Sequence, residues 1–353
     1  QTLQQLRAQF GQNGHANLDR LSGLRLSSQL SGHQQVHFSE SFHQLAYDLA
    51  HPEAFHIQTP SVQADLRDYQ ELGVKWLSML DSYGFGGILA DDMGLGKTLQ
   101  TIAFLRNQLE ETSKVLILAP SSLIYNWEEE FAKFAPDVET LVVYGTKAER
   151  QNLLRLPHQV AITSYASFRQ DKDLYRKERF DYLILDEAQV MKNAQTKTAQ
   201  ALQDFEVGAC FALSGTPIEN HLTEIWSIFQ IVLPGLLPGK TEFGKLSAEE
   251  VAKLIQPFIL RRRKEEVLQE LPDLIEVTVQ NELTEGQKAL YLAQLRQMQA
   301  TVSRISDTEI HQRKLEILSG ITRLRQICDS PALFLDDYKG GSGKLAALKE
   351  LLL

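Results

Sequence analysis

Hydrophobic and polar positions along this chain change rhythm twice. Up to about Pro60, apolar residues recur loosely at helical spacing, at Leu18, Leu21, Leu24, Leu26 and Leu30. Phe42, Leu45 and Leu49 repeat tightly enough to predict one short helix. From Leu66, short apolar runs alternate with amphipathic stretches. Asp68–Leu80 reads as a helix and Gly87–Ala90 as a short strand, followed by a glycine-rich turn and a helix from about Lys97. Val115–Ala119, Glu139–Tyr144, Val160–Thr163, Tyr182–Leu185 and Ala209–Leu213 read as further strands. Their near-continuous apolar runs are those of strands buried on both faces. After Leu236 the pattern turns helical and charged, with an amphipathic stretch from Thr284 to about Ile327. Its apolar positions are Leu290, Leu295, Met298, Val302 and Ile305, then Leu315, Leu318, Ile321 and Leu324, and helix packing explains them. A loop, Lys339–Gly343, precedes a new helix starting at Lys344.

Strand and helix in alternation predict an α/β fold, a mainly parallel sheet flanked by helices, with helical appendages. The expected organisation has three parts: an accessory region over 1–60, an α/β lobe over 61–335 with a helical protrusion at about 240–330, and the start of another domain over 336–353. The chain opens without Met and stops within a run of leucines, which reads as a fragment of a longer protein.

Composition narrows the class. The chain has 353 residues, 43% hydrophobic and 23% charged, an ordinary balance for a globular protein. No apolar run approaches the roughly 18 to 20 residues needed to span a bilayer, and no membrane partner is expected. Cys210 and Cys328 stand far apart in apolar company, which is neither a disulfide framework nor a metal-ligand spacing. A net charge of −9 excludes a protein that coats nucleic acid by bulk charge, but leaves room for a local basic stripe. Arg261-Arg262-Arg263-Lys264 is the candidate stripe.

Two short motifs carry the chemistry. Gly94-Leu95-Gly96-Lys97-Thr98 lies between a predicted strand and a predicted helix. There, glycines let backbone N–H groups curl around a phosphate, and the helix N-terminus adds a favourable dipole. Lys97 would reach the β- and γ-phosphates of a nucleotide, and Thr98 would offer its hydroxyl to Mg²⁺. The common pattern places Gly five residues before Gly96, where this chain has Asp91. The second motif, Asp186-Glu187, ends the apolar strand Tyr182–Leu185. Asp186 is placed to hold Mg²⁺, and Glu187 to orient and deprotonate an attacking water.

Further along, Asp186-Glu187-Ala188-Gln189 with Lys192-Asn193 resembles motif II of superfamily 2 motors. Other segments follow the order of the Snf2 family of DNA-dependent ATPases. Leu66–Gln70 with Trp76 is similar to its Q motif, Asp91–Ile102 to motif I, and Ala119–Leu123 with Asn126-Trp127 and Glu130 to motif Ia. Ile162–Tyr165 resembles motif Ib, and Leu213–Asn220 motif III. Pro257–Arg262 and Leu324–Cys328 also match. The resemblance runs from about Leu66 to the C-terminus and implies the first of two RecA-like P-loop lobes that close on ATP and Mg²⁺, with double-stranded DNA across both. Gln70 would then read the adenine, with Arg67 in support. Asp92, Gly94, Leu95, Gly96, Lys97, Thr98 and Gln189 would line the nucleotide, and Ser214 and Thr216 would couple it to lobe movement. Ser121, Ser122, Thr163, Lys192 and Arg261 would meet DNA, although the Arg261–Lys264 run could equally brace the second lobe. Trp127 is expected to pack against the sheet rather than stack on a base. The second lobe would carry the arginine fingers, so this chain alone should bind nucleotide weakly and hydrolyse it slowly.

Two departures stand out. Gln189 replaces the His found in many members, and the stretch between Gly235 and Pro257 is shorter than usual. This DEAQ form and the compact insertions point to a bacterial or archaeal member. The location would be cytoplasmic, at the nucleoid in a prokaryote or in the nucleus of a eukaryote. Protein partners would engage residues 1–60. Two rivals remain open: an RNA or single-strand helicase of the same superfamily, and a non-catalytic module that kept the fold. Intact Lys97, Thr98, Asp186 and Glu187 count against the second.

Overall fold

A computed structural model describes residues 19–30, 37–59, 61–215, 222–268, 277–303 and 314–352. The apolar runs become strands β1 (Gly87–Leu89), β2 (Val115–Ala119), β3 (Thr140–Val143), β4 (Val160–Ser164), β5 (Tyr182–Leu185), β6 (Ala209–Leu213) and β7 (Ile259–Leu260). They form one sheet in the order β3-β4-β2-β5-β6-β1-β7, and every pairing is parallel. Parallel strands require crossovers, which the helices supply. Helices α1 (Arg20–Leu30), α2 (Glu40–Ala50) and α3 (Asp68–Ser82) precede β1, and the crossovers are α4 (Lys97–Gln108), α5 (Ile124–Phe134), α6 (Lys147–Leu153), α7 (Tyr165–Tyr175), α8 (Lys197–Gln203) and α9 (Leu222–Val232). Two shorter helices, α10 (Lys240–Phe243) and α11 (Ala248–Ile255), lead into β7.

Strands β2, β4 and β6 are buried at every position, which accounts for their unbroken apolar runs. The helix that follows the glycine-rich turn is pinned to this sheet by one aromatic side chain. Phe104 of α4 is fully buried and meets Tyr182 of β5 and Phe211 of β6 edge-on, with centroids 5.6 and 5.2 Å apart.

β7 was not foreseen from the sequence. It is two residues long, too short for any periodicity, yet Ile88↔Ile259 and Leu89↔Leu260 pair in register and add a seventh strand.

Residue contacts divide the chain at 271/272. The segment expected to open the helical protrusion, 240–260, therefore belongs to the first unit, with its last strand in the sheet. The second unit contains α13 (Glu285–Val302), α14 (Lys314–Asp329) and α15 (Gly343–Leu352); the four-residue α12 (Lys264–Val267) ends the first. Gln287 organises the second unit. Its buried amide donates to the Ile327 carbonyl at 2.9 Å, and its oxygen accepts from the backbone N–H of Gly343 at 3.0 Å.

Candidate functional site: the carboxyl edge of the sheet

Because all seven strands are parallel, their carboxyl ends lie along one edge, where open α/β sheets bind ligands. Strand order sets who stands beside whom. Reading from β7 through β1, β6 and β5 to β2, the strand exits deliver Arg262–Lys264, Asp91–Lys97, Ser214-Gly215, Asp186-Glu187 and Pro120–Ser122. Both chemical motifs found in the sequence thus reach one edge, separated by β6 alone.

The glycine-rich turn has the backbone of a phosphate loop. Gly94 and Gly96 have φ of +87° and +75°, and α4 starts at Lys97 directly after Gly96. A Cβ at position 96 would fall 2.6 Å from Nε2 of Gln70. Gly96→Ala thus meets both an unfavourable φ and a steric clash. A loss of about 1–2 kcal/mol in the stability of the folded loop is expected, read as a lowered midpoint of thermal unfolding. The Lys97 ammonium donates to the backbone carbonyl of Asp91 at 2.8 Å. Burial holds it below the usual lysine pKa, opposed by the charges of Asp91, Glu187, Asp186 and Asp92.

Gln70 sits beneath this loop rather than apart from it. Its amide donates to the Leu95 carbonyl at 3.2 Å, and its oxygen accepts the Arg67 backbone N–H at 3.0 Å. The Gln70 side chain is buried and Arg67 is exposed.

The residue that broke the expected glycine pattern is also accounted for. Asp91 is fully buried, and Arg262 closes on it from β7. Nε and the backbone N–H of Arg262 donate to Oδ1 at 2.9 and 3.1 Å, while Nη2 donates to Oδ2. Gln100 of α4 donates to the same Oδ2 at 3.2 Å and accepts from Arg262 Nη2 at 2.7 Å. Arg262 also donates to the Tyr69 carbonyl and lies over the Tyr69 ring, 5.4 Å from its centroid. One buried guanidinium therefore joins the phosphate loop, α4 and the start of α3. Lys264 follows on the surface. Its backbone N–H donates to Asp92 Oδ2 at 3.1 Å, and its ammonium lies 3.3 Å from where a Cβ of Gly94 would stand.

At the tip of β5, Asp186 and Glu187 adopt different surroundings. Asp186 Oδ1 accepts the Glu187 backbone N–H at 2.9 Å, and Oδ2 accepts the indole N–H of Trp127, also at 2.9 Å. Burial raises the Asp186 pKa, and the indole hydrogen bond works against that rise. Glu187 has φ +51°, and no other non-glycine among the described residues has a positive φ. Such strain is concentrated at functional positions. Gln189 donates to the Glu187 carboxylate, and the Ser214 hydroxyl donates to Gln189 at 3.1 Å. Glu187, Gln189 and Ser214 thus form a chain from β5 to β6.

The donor chemistry along this edge fits a magnesium nucleotide. It offers curled glycines, an ammonium, a hydroxyl at Thr98 and a carboxylate at the tip of β5, and hard oxygen donors suit Mg²⁺.

The residues expected to meet DNA divide. Ser121 and Ser122 are exposed on the turn between β2 and α5, and Lys192 and Arg261 are exposed as well. Thr163 differs from expectation. It is fully buried, and its hydroxyl donates to the Val143 carbonyl at 2.8 Å, so no phosphate reaches that side chain. β4 is buried at every position, so Thr163 is enclosed whichever face of the sheet it lies on. Within the basic run, Arg262 is the internal member, while Arg261, Arg263 and Lys264 face outward. Thr216 lies outside the described residues, as does Pro217–Asn220. Trp127 packs against the sheet as expected, and its bond to Asp186 is the contact that sequence reasoning missed.

Comparison with known proteins agrees with this geometry. The model of the SNF2-related domain family matches residues 69–333. An uncharacterized ATP-dependent helicase, MG018, of Mycoplasma genitalium is 37% identical over 297 residues, 80% of this chain and 28% of that protein. The putative ATP-dependent helicase/translocase YwqA of Bacillus subtilis is 38% identical over 322 residues, 84% of this chain and 35% of its own length. The chain therefore spans about a third or less of these relatives. The SWI2/SNF2 ATPase core of Sulfolobus solfataricus in complex with dsDNA superposes with a TM-score of 0.57 at 35% identity, covering 84% of this chain and 65% of that one. With a parallel sheet of this order, a phosphate loop and a carboxylate pair on one edge, and a family match over most of its length, the chain belongs to the SNF2-related domain family.

Proposed function

We propose that this chain is the first ATP-binding lobe of a motor that hydrolyses ATP with Mg²⁺ and moves along double-stranded DNA. The observation that carries the reading is that the glycine-rich turn with Lys97, which leaves β1, and Asp186-Glu187, which end β5, stand on one edge of the sheet with β6 alone between their strands. Lys97 binds the β- and γ-phosphates, Thr98 and Asp186 hold Mg²⁺, and Glu187 takes the proton of the attacking water. The metal, when bound, neutralises charge that develops on the phosphate oxygens. Gln70 and Arg67 flank the adenine, and the Ser214–Gln189–Glu187 chain carries the state of the phosphate site towards β6. Ser121, Ser122, Lys192 and Arg261 lie along the DNA backbone, contacts that position a duplex without reading its sequence. A second RecA-like lobe completes the site. Support for the duplex comes from the Sulfolobus solfataricus neighbour, whose structure holds dsDNA.

The test is ATP hydrolysis by the full-length parent protein, alone and with duplex DNA, single-stranded DNA or RNA. Strong stimulation by duplex is the expected result. Stimulation by single strands or RNA alone would make the protein a helicase instead, and no hydrolysis under any condition would make it a binding module. The 353-residue chain by itself is expected to bind ADP weakly and turn over ATP slowly, because no arginine finger from a second lobe is supplied. A duplex-stimulated rate from this chain equal to that of the parent would refute the two-lobe reading.

A further inference from the structure

Trp127 occupies the first turn of α5, five residues after Ser122, and is 2% exposed. Apolar packing would explain a phenylalanine here equally well, and the ring does pack on Phe131, with centroids 6.3 Å apart. A phenylalanine, however, has no N–H. The indole Nε1–H points at Oδ2 of Asp186 from 2.9 Å, while Oδ1 accepts the Glu187 backbone N–H. Each carboxylate oxygen therefore has one protein donor, from two different elements, and each keeps a lone pair for a cation. Donors of this kind fix the rotamer of a metal-binding carboxylate and tune its affinity. The helix that carries the indole starts directly after the exposed turn Pro120–Leu123.

We propose that Trp127 is a positioning residue for Asp186, and that through α5 it links Mg²⁺ binding at the nucleotide to contact of duplex DNA with the Ser121-Ser122 turn. This rests on the ATP and duplex reading given above. A shift of the turn carries the first turn of α5 with it and moves the indole relative to the carboxylate. Of the other two tryptophans, Trp76 and Trp226 donate to the backbone carbonyls of Pro257 and Pro238, so they serve as internal controls.

The experiment labels this chain with 5-fluorotryptophan and follows three ¹⁹F resonances, Trp127 being assigned by its loss in Trp127→Phe. The Trp127 resonance is expected to shift when Mg²⁺ is added to the ADP-bound chain. It should also shift when a short random-sequence duplex is added without nucleotide, with Trp76 and Trp226 unmoved. In Trp127→Phe, the Mg²⁺ concentration that half-saturates the ADP complex should rise about tenfold, while ADP affinity in EDTA stays the same. Retention of the Trp76 and Trp226 resonances in the variant reports that it is folded. An unchanged Mg²⁺ midpoint in Trp127→Phe, or a Trp127 resonance that ignores the duplex, overturns the proposal. Should the full-length parent bind no ADP at all, with or without Mg²⁺, the ATP reading itself falls, a result distinct from either.

Discussion

Arg262→Met is expected to lower the stability of the first unit by about 3–5 kcal/mol, because it leaves the Asp91 carboxylate buried without its counter-charge. The guanidinium serves Asp91, Gln100 and the Tyr69 carbonyl together, and the fully buried Asp91 and Gln100 side chains cannot turn to water instead. On the order of 2 °C per kcal/mol for a unit of this size, thermal unfolding should fall by roughly 8 °C. A double variant, Asp91→Asn with Arg262→Met, removes both charges while keeping an acceptor for the Arg262-position backbone N–H. It is expected to recover most of that loss, as paired removal of a buried ion pair commonly does. Nucleotide affinity should remain impaired in both, since the start of the loop has lost the guanidinium that joined it to α4 and to the start of α3. Scanning calorimetry and ADP titration separate the two effects. A single variant as stable as the parent would mean that the ion pair contributes nothing, and that the Asp91 departure needs another explanation.

Glu187→Gln in the full-length parent is expected to reduce duplex-stimulated ATP hydrolysis by a factor of about 10²–10⁴, the range for removal of a general base. An amide keeps the shape and can still bond to Gln189, but it cannot take a proton. Binding depends on Lys97 and the loop rather than on Glu187, so KM should change little while kcat collapses. Phosphate release measured against ATP concentration distinguishes this from a folding defect, which would lower the active fraction without a stable, nucleotide-saturable complex. Retention of more than a tenth of the parent rate would remove Glu187 from the role proposed for it.

Local physics made much of this molecule legible in its sequence. A strand buried on both faces must be apolar at nearly every position, so β2, β4, β5 and β6 could be placed to within a residue or so of their observed ends. A phosphate loop needs glycines and a lysine within one turn, and the carboxylate pair needs the tip of one strand. Each motif is contiguous and therefore readable. Tertiary structure decided what depends on distant partners. β7 has two residues, and only its pairing with β1 makes it a strand. Asp91 looked like a defect in a motif until Arg262, 171 residues away, was found against it. Trp127 read as packing because its hydrogen-bond partner lies 59 residues off, on a strand that sheet order brings alongside. The motif resemblance sets Thr163 at DNA, but β4 is buried at every position and the hydroxyl ends on the Val143 carbonyl. The sequence by itself determined six of the seven strands and both chemical motifs, since those rest on interactions within a few residues. Which buried polar groups meet across the sheet was decided only by strand order, because a buried donor must find its acceptor in space, and no local pattern records where that acceptor will be.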